Sequence, residues 1–402
     1  MLMTSHDPIA LDAQHVLQVY RRAPVVFVSG RGCALFTREG ERYLDLISGV
    51  GVASLGHGHP GLARAIAEQA STLLHTSNLF HHPLQSELAS RLAALTGLPR
   101  AFFCNSGAEA VEACLKFARR FWHAQGAPRT KVVAFDHSFH GRTAGALSVT
   151  WDEHYRAPFA PLVPGVSFVD PSDPSGIAAA ITRDTAAVIV EPIQGEGGVR
   201  PLPQSAADAI AAACCRTGAL LIADEVQCGL GRTGRPVYSD ALGLKPDLMA
   251  LGKALGAGVP IGAALFSDRV ADAAKPGDHG STYGGNLLAC RAALVFLDEL
   301  QNGLMEHVAK IGAYMERGLN GIASRQPAVK AVRGAGVIWG LDIDRPAAAV
   351  VDAARERHLL VNRTSDTVIR LLPPYVITES ELDEALPLLE AAIASAVEAP
   401  AQ

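Results

Sequence analysis

An acid and a lysine follow two apolar segments in the middle of the chain, where they could act on one bound molecule. The run 219–223 (ALLIA) ends at Asp224, and the run 248–251 (LMAL) leads to Lys253. A lysine between an apolar strand and small residues is partly desolvated, which lowers its pKa and frees the amine for Schiff-base chemistry. A carboxylate that ends the neighbouring strand could hold a positive ring nitrogen. We therefore predict that both side chains bind one cofactor from two sides, although a lysine at this position is also compatible with a solvated strand end.

Small residues follow another predicted strand. The triplet Ser106-Gly107-Ala108 lies between a strand that ends at Cys104 and a helical pattern. Free backbone N–H groups at a helix N-terminus form an anion site, and small residues let a phosphate approach closely. An ordinary helix start with Ser106 as its N-cap explains the same residues, so both interpretations stay open.

The segment 137–143 (HSFHGRT) offers two further groups after a strand. Arg142 has a planar fork of donors suited to a carboxylate, and Phe139 could form a flat wall for an aromatic ring. A surface arginine and a core aromatic residue are the alternative interpretation. The histidines lack a third ligand at metal-binding spacing, so we predict no metal site.

The segment 191–199 (EPIQGEGGV) places two acids, one of them Glu196, and three glycines after an apolar run. Charge at the carboxyl end of a buried strand lies where α/β sheets bind ligands. A turn with its acids in water is the alternative.

The segment 229–234 (GLGRTG) matches the dinucleotide fingerprint G-x-G-x-x-G. That fingerprint needs a helix that opens at its last glycine, but the following residues 235–238 carry no apolar helical stripe. The expected acid at the end of a second strand is also missing, because Asp247 precedes its strand. We therefore reject a nicotinamide site here and interpret the segment as a connection.

Composition excludes several classes of protein. A formal net charge of −5 gives no electrostatic case for nucleic acid or an anionic membrane surface. No apolar run reaches the roughly 18 residues of a membrane span. The first residues, MLMTSHDP, have no apolar core of a secretory signal. Seven cysteines without C-x-x-C spacing indicate reduced thiols in a cytoplasmic protein.

The elements around these segments predict an α/β protein. Short apolar strands alternate with helical patterns, which is typical of a mainly parallel sheet covered by helices on both faces. The predicted strands of this sheet are 101–104, 131–135, 186–190, 219–223 and 248–251. At 402 residues the chain has room for two domains. We predict an N-terminal segment (1–60) that packs with the small domain, a large domain (61–290) and a small C-terminal α/β domain (291–402).

The flanking parts give more local predictions. Residues 25–28 and 43–47 surround a turn at 37–41 and indicate a hairpin. After residue 290, an apolar stripe at 308–322 predicts a covering helix. Short strands are expected at 337–341 and 368–372, and Thr378-x-x-Glu381 is the capping box of a last helix.

Together these segments resemble the class III (ω-) aminotransferases, pyridoxal-phosphate enzymes of fold type I. The resemblance runs from LGHGHP at 55–60 to RLLPP at 370–374 and centres on DEVQ at 224–227 followed by Lys253. It implies an aspartate aminotransferase-like fold with pyridoxal 5′-phosphate as cofactor. Within the family, HTSN at 75–78, the 191–199 segment and HGSTYGGN at 279–286 are most like N-acetylornithine aminotransferases.

The resemblance implies a role for each residue around the ring. Lys253 would form the Schiff base and, once released, move the proton between the substrate carbon and the cofactor. Asp224 would keep the pyridine nitrogen protonated, so that the ring acts as an electron sink. Gln227 would bond the phenolic oxygen, and Phe139 would stack on the ring.

It also implies how the phosphate and the substrates are held. Ser106, Gly107 and Ala108 would bind the phosphate, and Thr282 would reach it from a partner subunit, which requires a homodimer. The substrate-binding residues would be Arg142, Glu196, Ser281 and Arg370. Arg142 would take the α-carboxylate of the acylated donor. Glu196 would pair with Arg370 while the ω-amine donor is bound and release it for glutamate or 2-oxoglutarate, because a buried arginine needs one anion or the other.

The implied reaction transfers the ω-amino group of N2-acetylornithine to 2-oxoglutarate. Ornithine aminotransferases carry a tyrosine where Val50 stands, so an apolar Val50 suits a donor with an acylated α-nitrogen. Ornithine, succinylornithine, 4-aminobutyrate and carrier-bound lysine stay open as alternative donors. An aminomutase and a non-catalytic cofactor-binding protein also stay open. Two departures from the family pattern are Ala257, where glycine is usual, and Val111, where asparagine is common.

Overall fold

The computed structural model describes residues 7–398 and contains seventeen strands in that range. The strands are β1 (Phe27–Arg31), β2 (Ala34–Thr37), β3 (Arg42–Asp45), β4 (Arg100–Cys104), β5 (Lys131–Phe135), β6 (Val166–Val169), β7 (Thr185–Val190), β8 (Ile193–Gln194), β9 (Arg200–Pro201), β10 (Leu220–Asp224), β11 (Leu248–Leu251), β12 (Gly262–Phe266), β13 (Val329–Ala335), β14 (Ile338–Ile343), β15 (Leu359–Leu360), β16 (Asn362–Arg363) and β17 (Val368–Leu371).

Fourteen α-helices lie between and around these strands in the described range. They are α1 (Pro8–His15), α2 (Ser48–Gly51), α3 (Pro60–Thr72), α4 (Pro83–Thr96), α5 (Gly107–Ala124), α6 (Ala144–Ser148), α7 (Glu153–Arg156), α8 (Pro174–Ala180), α9 (Gln204–Thr217), α10 (Asp268–Ala271), α11 (Leu287–Glu299), α12 (Met305–Arg325), α13 (Ala347–Glu356) and α14 (Glu379–Glu398). No helix among residues 7–398 is long and apolar enough to cross a membrane.

A seven-stranded sheet in the order β4-β12-β11-β10-β7-β5-β6 forms the centre of the molecule. Strand β10 pairs in parallel with β11 and β7, and β5 pairs in parallel with β7 and β6. Only β12 is antiparallel to its neighbours β11 and β4 within this sheet. The mainly parallel α/β fold predicted from the sequence is therefore confirmed. The sequence prediction omits β6 (VSFV), whose apolar run is interrupted by a serine, and β12, whose first half (GAA) is made of small residues.

Both faces of this sheet are buried, which explains why its strands are continuous apolar runs. In β10, Ile222 packs in one cluster with Val111 and Trp122 of α5. Its neighbour Leu221 points to the opposite face and packs in a cluster with Ile210 of α9. The parallel strands β7, β10 and β11 end at the same edge, so the groups that follow them are brought together there.

The N-terminal hairpin differs from the prediction. The turn at 38–41 joins β2 to β3, and β1 pairs with β2 rather than with β3. The pairing predicted between 25–28 and 43–47 is therefore wrong. Gly32 adopts a left-handed φ of 58° and turns the chain, so that residues 34–37 form a strand the apolar pattern did not separate from its surroundings.

The C-terminal part contains a second, four-stranded sheet in the order β13-β14-β17-β16. The predicted apolar stripe of α12 is buried, and Thr378 and Glu381 form the predicted capping box at α14. Strand β15 pairs in parallel with β3 of the N-terminal segment. The three-part domain division stays a prediction, and its outermost residues, 1–6 and 399–402, lie outside the described range.

The segment 229–234 folds as a turn, and the next element is a short 3-10 turn at 239–242 rather than a helix at Gly234. Arg232 in this turn is fully buried. It donates to the carbonyl oxygens of Gly51, Val337 and Pro373, at 3.3, 3.4 and 2.5 Å. The turn therefore joins the N-terminal and C-terminal parts of the chain to the central sheet.

Candidate active site

Most of the predicted site residues line one cavity of about 260 Å³ at the carboxyl edge of the central sheet. Its lining consists of Gly107, Ala108, Phe139, His140, Gly141, Arg142, Glu191, Gly195, Glu196, Asp224, Val226, Gln227 and Lys253. Four predicted residues do not line it: Ser106, Ser281, Thr282 and Arg370. The described residues contain no cluster of three or more His, Cys, Asp or Glu suited to a metal.

Lys253 begins a short 3-10 turn that is separated from β11 by Gly252, and it has a left-handed φ of 42°. Its Nζ donates to Oε1 of Gln227. Burial lowers the pKa of Lys253 below its ordinary value, and the charge of Glu196 opposes this shift. A lysine in this position is closer to the neutral form that attacks a carbonyl carbon than a solvated lysine would be.

Asp224 ends β10 and is buried. Its Oδ2 lies 2.7 Å from Nδ1 of His140, whose side chain is fully buried, and its Oδ1 accepts a bond from the N–H of Val226. A histidine whose Nδ1–H donates to a carboxylate orients that carboxylate and stabilises its charge. The sequence interpretation missed His140, because it weighed histidines in this segment only as metal ligands.

The start of α5 has both features that the sequence interpretation considered, an N-cap and free backbone N–H groups. Ser106 is the N-cap, and its Oγ accepts a bond from the N–H of Glu109 at 3.2 Å. Gly107 and Ala108 lie in the first turn, where N–H groups have no partner within the helix. A Cβ on Gly107 would lie 2.6 Å from a methyl group of Val226, so only glycine fits there. The first turn therefore presents bare backbone to the cavity.

Glu191 connects two segments that border the cavity. Its Oε1 accepts a bond from the N–H of Phe139 at 2.8 Å, and its Oε2 accepts one from the N–H of Gly195 at 3.1 Å. Burial raises the pKa of Glu191 to about 7, and His140 opposes this shift. The alternative of a water-facing acid is wrong for Glu191, which instead fixes Phe139 relative to the segment that carries Glu196.

Glu196 and Arg370 form an ion pair beside the cavity, with Oε1 and Nη1 2.6 Å apart. The Arg370 side chain is 1% exposed and also donates to the carbonyl oxygen of Gly195. Burial disfavours the charge of Glu196, but Arg370 and Lys253 outweigh it and lower the pKa of this carboxyl group. The guanidinium is therefore neutralised by a carboxylate that lies at the cavity wall.

Arg142 lies at the outer side of the cavity. Its guanidinium carbon is 3.5 Å from the centre of the Tyr155 ring and 5.4 Å from that of Phe139. Such a stacked guanidinium keeps its donors free for a planar anion. Tyr155 is a further residue that the sequence interpretation did not include.

Ser281 and Thr282 lie on a surface loop of the same chain, away from the cavity. Asn105 donates to Oγ of Ser281 at 3.3 Å, and the His279 ring stacks on Phe102 with centres 4.7 Å apart. Thr282 is exposed. The loop is thus anchored to the central sheet while Thr282 points to the surface.

Two polar side-chain atoms of the cavity have no hydrogen-bond partner among the described residues. Nε2 of His140 and Nε2 of Gln227 are buried without a hydrogen-bond partner among them. Buried polar groups are normally paired, so these two nitrogens indicate a missing polar partner. An amine, a carboxylate, an aromatic wall and a backbone anion site surround the same space. This arrangement fits a phosphorylated aromatic aldehyde such as pyridoxal phosphate.

Comparison with known proteins identifies the family of this chain. The family model "Aminotransferase class-III" matches residues 17–393. The acetylornithine aminotransferase of Archaeoglobus fulgidus is 45% identical over 95% of this chain and 99% of its own length. That of Aquifex aeolicus is 43% identical over 93% of this chain and 98% of its own length.

Solved structures give the same result. The ornithine aminotransferase of Toxoplasma gondii superposes with a TM-score of 0.92 at 34% identity, covering 97% of this chain and 95% of its own. The acetylornithine aminotransferase of Elizabethkingia anophelis has a TM-score of 0.85 at 31% identity, covering 96% and 98%. The chain belongs to the class III aminotransferases, and it is an aminotransferase that uses pyridoxal phosphate.

Proposed function

We propose that the enzyme transfers the ω-amino group of N2-acetylornithine to 2-oxoglutarate and forms N-acetylglutamate semialdehyde and glutamate, a step of arginine biosynthesis. The observation that carries the proposal is the Glu196–Arg370 pair beside Lys253. One pocket must accept an ω-amine, which has no carboxylate near the reacting carbon, and glutamate, which has one. A buried arginine with a movable carboxylate partner meets both needs, because it is never left unpaired.

The residues present fit the cofactor as follows. When bound, pyridoxal phosphate supplies the electron sink for chemistry at the amine-bearing carbon. Lys253 holds the aldehyde end and moves a proton with its Nζ. Asp224 holds a proton on the ring nitrogen, and Gln227 binds the phenolic oxygen. Phe139 covers one face of the ring.

At the other end of the cavity, the N–H groups of Gly107 and Ala108 and the Ser106 N-cap bind the phosphate. Arg142 binds the α-carboxylate of the donor in a planar, two-bonded geometry. Acetylation of the α-nitrogen removes its positive charge, and the apolar Val50 suits a donor of this kind. A Cβ added to Gly51, the neighbour of Val50, would lie 2.6 Å from the amide nitrogen of Gln227, and this short distance supports a position of Val50 near the site.

A second copy of the chain completes the site in this proposal. Thr282 reaches the phosphate of the partner subunit, with Ser281 next to it. Large apolar side chains are exposed on this side of the fold, among them Leu79 at 86%, Phe80 at 68% and Tyr283 at 63%. Exposed apolar groups of this size favour a protein interface. All seven cysteines are unpaired, which favours a reducing compartment, and we place the homodimer in the cytoplasm.

A panel of amino donors tests the proposal. The measurement is kcat/KM for each of four donors: acetylornithine, ornithine, succinylornithine and 4-aminobutyrate. Every assay uses 2-oxoglutarate as the amino acceptor. We expect acetylornithine to exceed ornithine by at least about tenfold, since Val50 offers no partner for a free α-amino group. Preference for ornithine or 4-aminobutyrate would contradict the proposed donor. Turnover without any acceptor would indicate an aminomutase.

Replacing Glu196 by alanine should shift the balance between the two substrates. Arg370 then lacks its carboxylate, so glutamate becomes the favoured anion and the ω-amine donor meets an unpaired charge. We expect the ratio of kcat/KM for glutamate over acetylornithine to rise about tenfold or more, measured as two separate half-reactions. Glu153→Ala, an exposed acid on α7, is the matched control. An unchanged ratio would count against the switch.

A further inference from the structure

The segment that carries Arg142 has few contacts of its own. Residues 142–144 are exposed, and among residues 7–398 the Arg142 guanidinium stacks on two aromatic rings without a hydrogen bond or an ion pair. Helix α6 begins two residues after Arg142, and its N-cap Thr143 makes no side-chain bond to the helix start. The position of Arg142 therefore depends on groups from elsewhere in the chain that hold the backbone on either side of it.

Glu112 of α5 holds the backbone that follows Arg142. Its Oε1 accepts a bond from the N–H of Gly145 at 2.8 Å and another from the N–H of Ala146 at 3.1 Å. Glu112 is half-buried and forms no ion pair among the described residues, so its charge is available for these two N–H groups. N–H groups in a first turn have no partner within their own helix, and bonds to a carboxylate are charge-assisted. Glu112 thus supplies the capping that Thr143 does not.

The same face of α5 holds the backbone that precedes Arg142. Ala108 lies four residues before Glu112, and residues four apart share one face of a helix. Gly141 packs directly on Ala108, because a Cβ on Gly141 would lie only 2.8 Å from the Cβ of Ala108. One turn of α5 therefore contacts the backbone on both sides of Arg142. That turn begins at Gly107 and Ala108, the two residues proposed to bind the phosphate.

We propose that Glu112 is a positioning residue that fixes Arg142 relative to the phosphate site at the start of α5. It acts through the backbone of Gly145 and Ala146 and does not line the catalytic cavity. The inference rests on the proposed function, in which Arg142 binds the α-carboxylate of the donor. The ω-amine of such a donor meets Lys253 only if the carboxylate is held at a set distance from the bound cofactor. Helix α5 is the common reference for both ends, and a small displacement of a binding group is costly.

The first test measures binding without turnover. N2-acetylnorvaline is acetylornithine without its ω-amine, so it carries the same carboxylate but cannot react. We expect Glu112→Ala to raise its Kd for the holoenzyme about tenfold, measured by calorimetry, because Arg142 loses its fixed position. Glu112→Gln keeps an oxygen acceptor and should recover most of the lost affinity. Glu316→Ala is the matched control, because Glu316 is an exposed acid on α12.

Gly145→Ala provides an independent variant that leaves Glu112 in the sequence. A Cβ on Gly145 would collide with Oε2 of Glu112, so this change should displace the carboxylate and raise the Kd for N2-acetylnorvaline to a similar extent. Alanine favours a helix over glycine, so α6 itself is not weakened. Glu112→Ala removes the collision, and the double variant should bind no more weakly than Glu112→Ala alone.

A second background shows whether Glu112 acts through Arg142. In the wild-type background, Glu112→Ala should lower kcat/KM for acetylornithine about tenfold, mainly through KM. In the Arg142→Ala background, the same change should lower it by less than about twofold, because the group that Glu112 positions is already gone.

Equal losses in the two backgrounds would overturn the inference, since Glu112 would then support the fold rather than Arg142. An unchanged Kd in Glu112→Ala and Gly145→Ala, with thermal unfolding like that of the wild type, would also overturn it and leave the proposed function intact. If the wild-type holoenzyme did not bind N2-acetylnorvaline, the proposed donor itself would fail, and the inference with it.

Discussion

The Lys253→Ala variant is expected to have no measurable multiple turnover, with kcat lowered by roughly 10⁴-fold or more. Lys253 is the only amine among the described residues that line the catalytic cavity. In the proposed mechanism, its removal would take away both the covalent attachment of the cofactor and the group that moves the proton. No neighbouring residue can replace it, because Gln227 and Asp224 are not nucleophilic amines.

Two measurements check this expectation. Steady-state assays with acetylornithine and 2-oxoglutarate give kcat, and borohydride reduction should fix the cofactor covalently to the wild-type protein but not to the variant. Lys245→Ala is the matched control, because Lys245 is exposed just before β11. Retained multiple turnover in Lys253→Ala would falsify the assignment of this lysine.

The central sheet and the side chains at its carboxyl edge were predictable because both depend on short-range pattern. Buried parallel strands need continuous apolar runs. Asp224 follows one such run directly, and Lys253 follows another after Gly252. A lysine and an acid at two neighbouring strand ends must therefore converge, whatever the loops between them do. Gln227, three residues after Asp224, was assigned through the resemblance to the class III aminotransferases and not from this pattern.

Contacts between distant segments were not predictable in this way. His140 and Asp224 are 84 residues apart, and only the adjacency of their strand ends in space places the ring against the carboxylate. Glu191 likewise binds two backbone N–H groups whose positions no periodicity specifies. Arg232 was interpreted as part of a connection, yet it is buried against carbonyl groups from two distant parts of the chain.

The two departures from the family pattern have different structural consequences. Ala257 ends the 3-10 turn of Lys253 with a left-handed φ of 48°, a conformation that costs a residue with a Cβ about 1 kcal/mol. This explains why glycine is usual there and why alanine is tolerated. Val111 is buried on the face of α5 that packs against the central sheet, where an apolar side chain needs no polar partner.

Asp224→Asn is expected to lower kcat by about 10³-fold while the fold is retained. The amide has nearly the shape of the carboxylate and can still accept a bond from Nδ1 of His140 through its oxygen. It has no negative charge, so in the proposed mechanism it would no longer stabilise a proton on the ring nitrogen of the cofactor. Asp224→Asn would then leave Lys253 with a weaker electron sink to work with, so the barrier for removal of the substrate proton would rise.

The measurement that isolates this effect is the single-turnover rate of the half-reaction with acetylornithine, recorded with saturating cofactor. Thermal unfolding of the same preparation shows whether stability has changed. Asp240→Asn, an exposed acid on the 239–242 turn, is the control.

His140→Gln is expected to lower kcat less than Asp224→Asn does, by about tenfold. The charge of Asp224 remains in this variant, and only the orientation of its carboxylate is loosened. If Asp224→Asn kept kcat within a few-fold of the wild type, the ring nitrogen would have to be held by another group. Nε2 of His140, which has no hydrogen-bond partner among residues 7–398, would then be the first candidate.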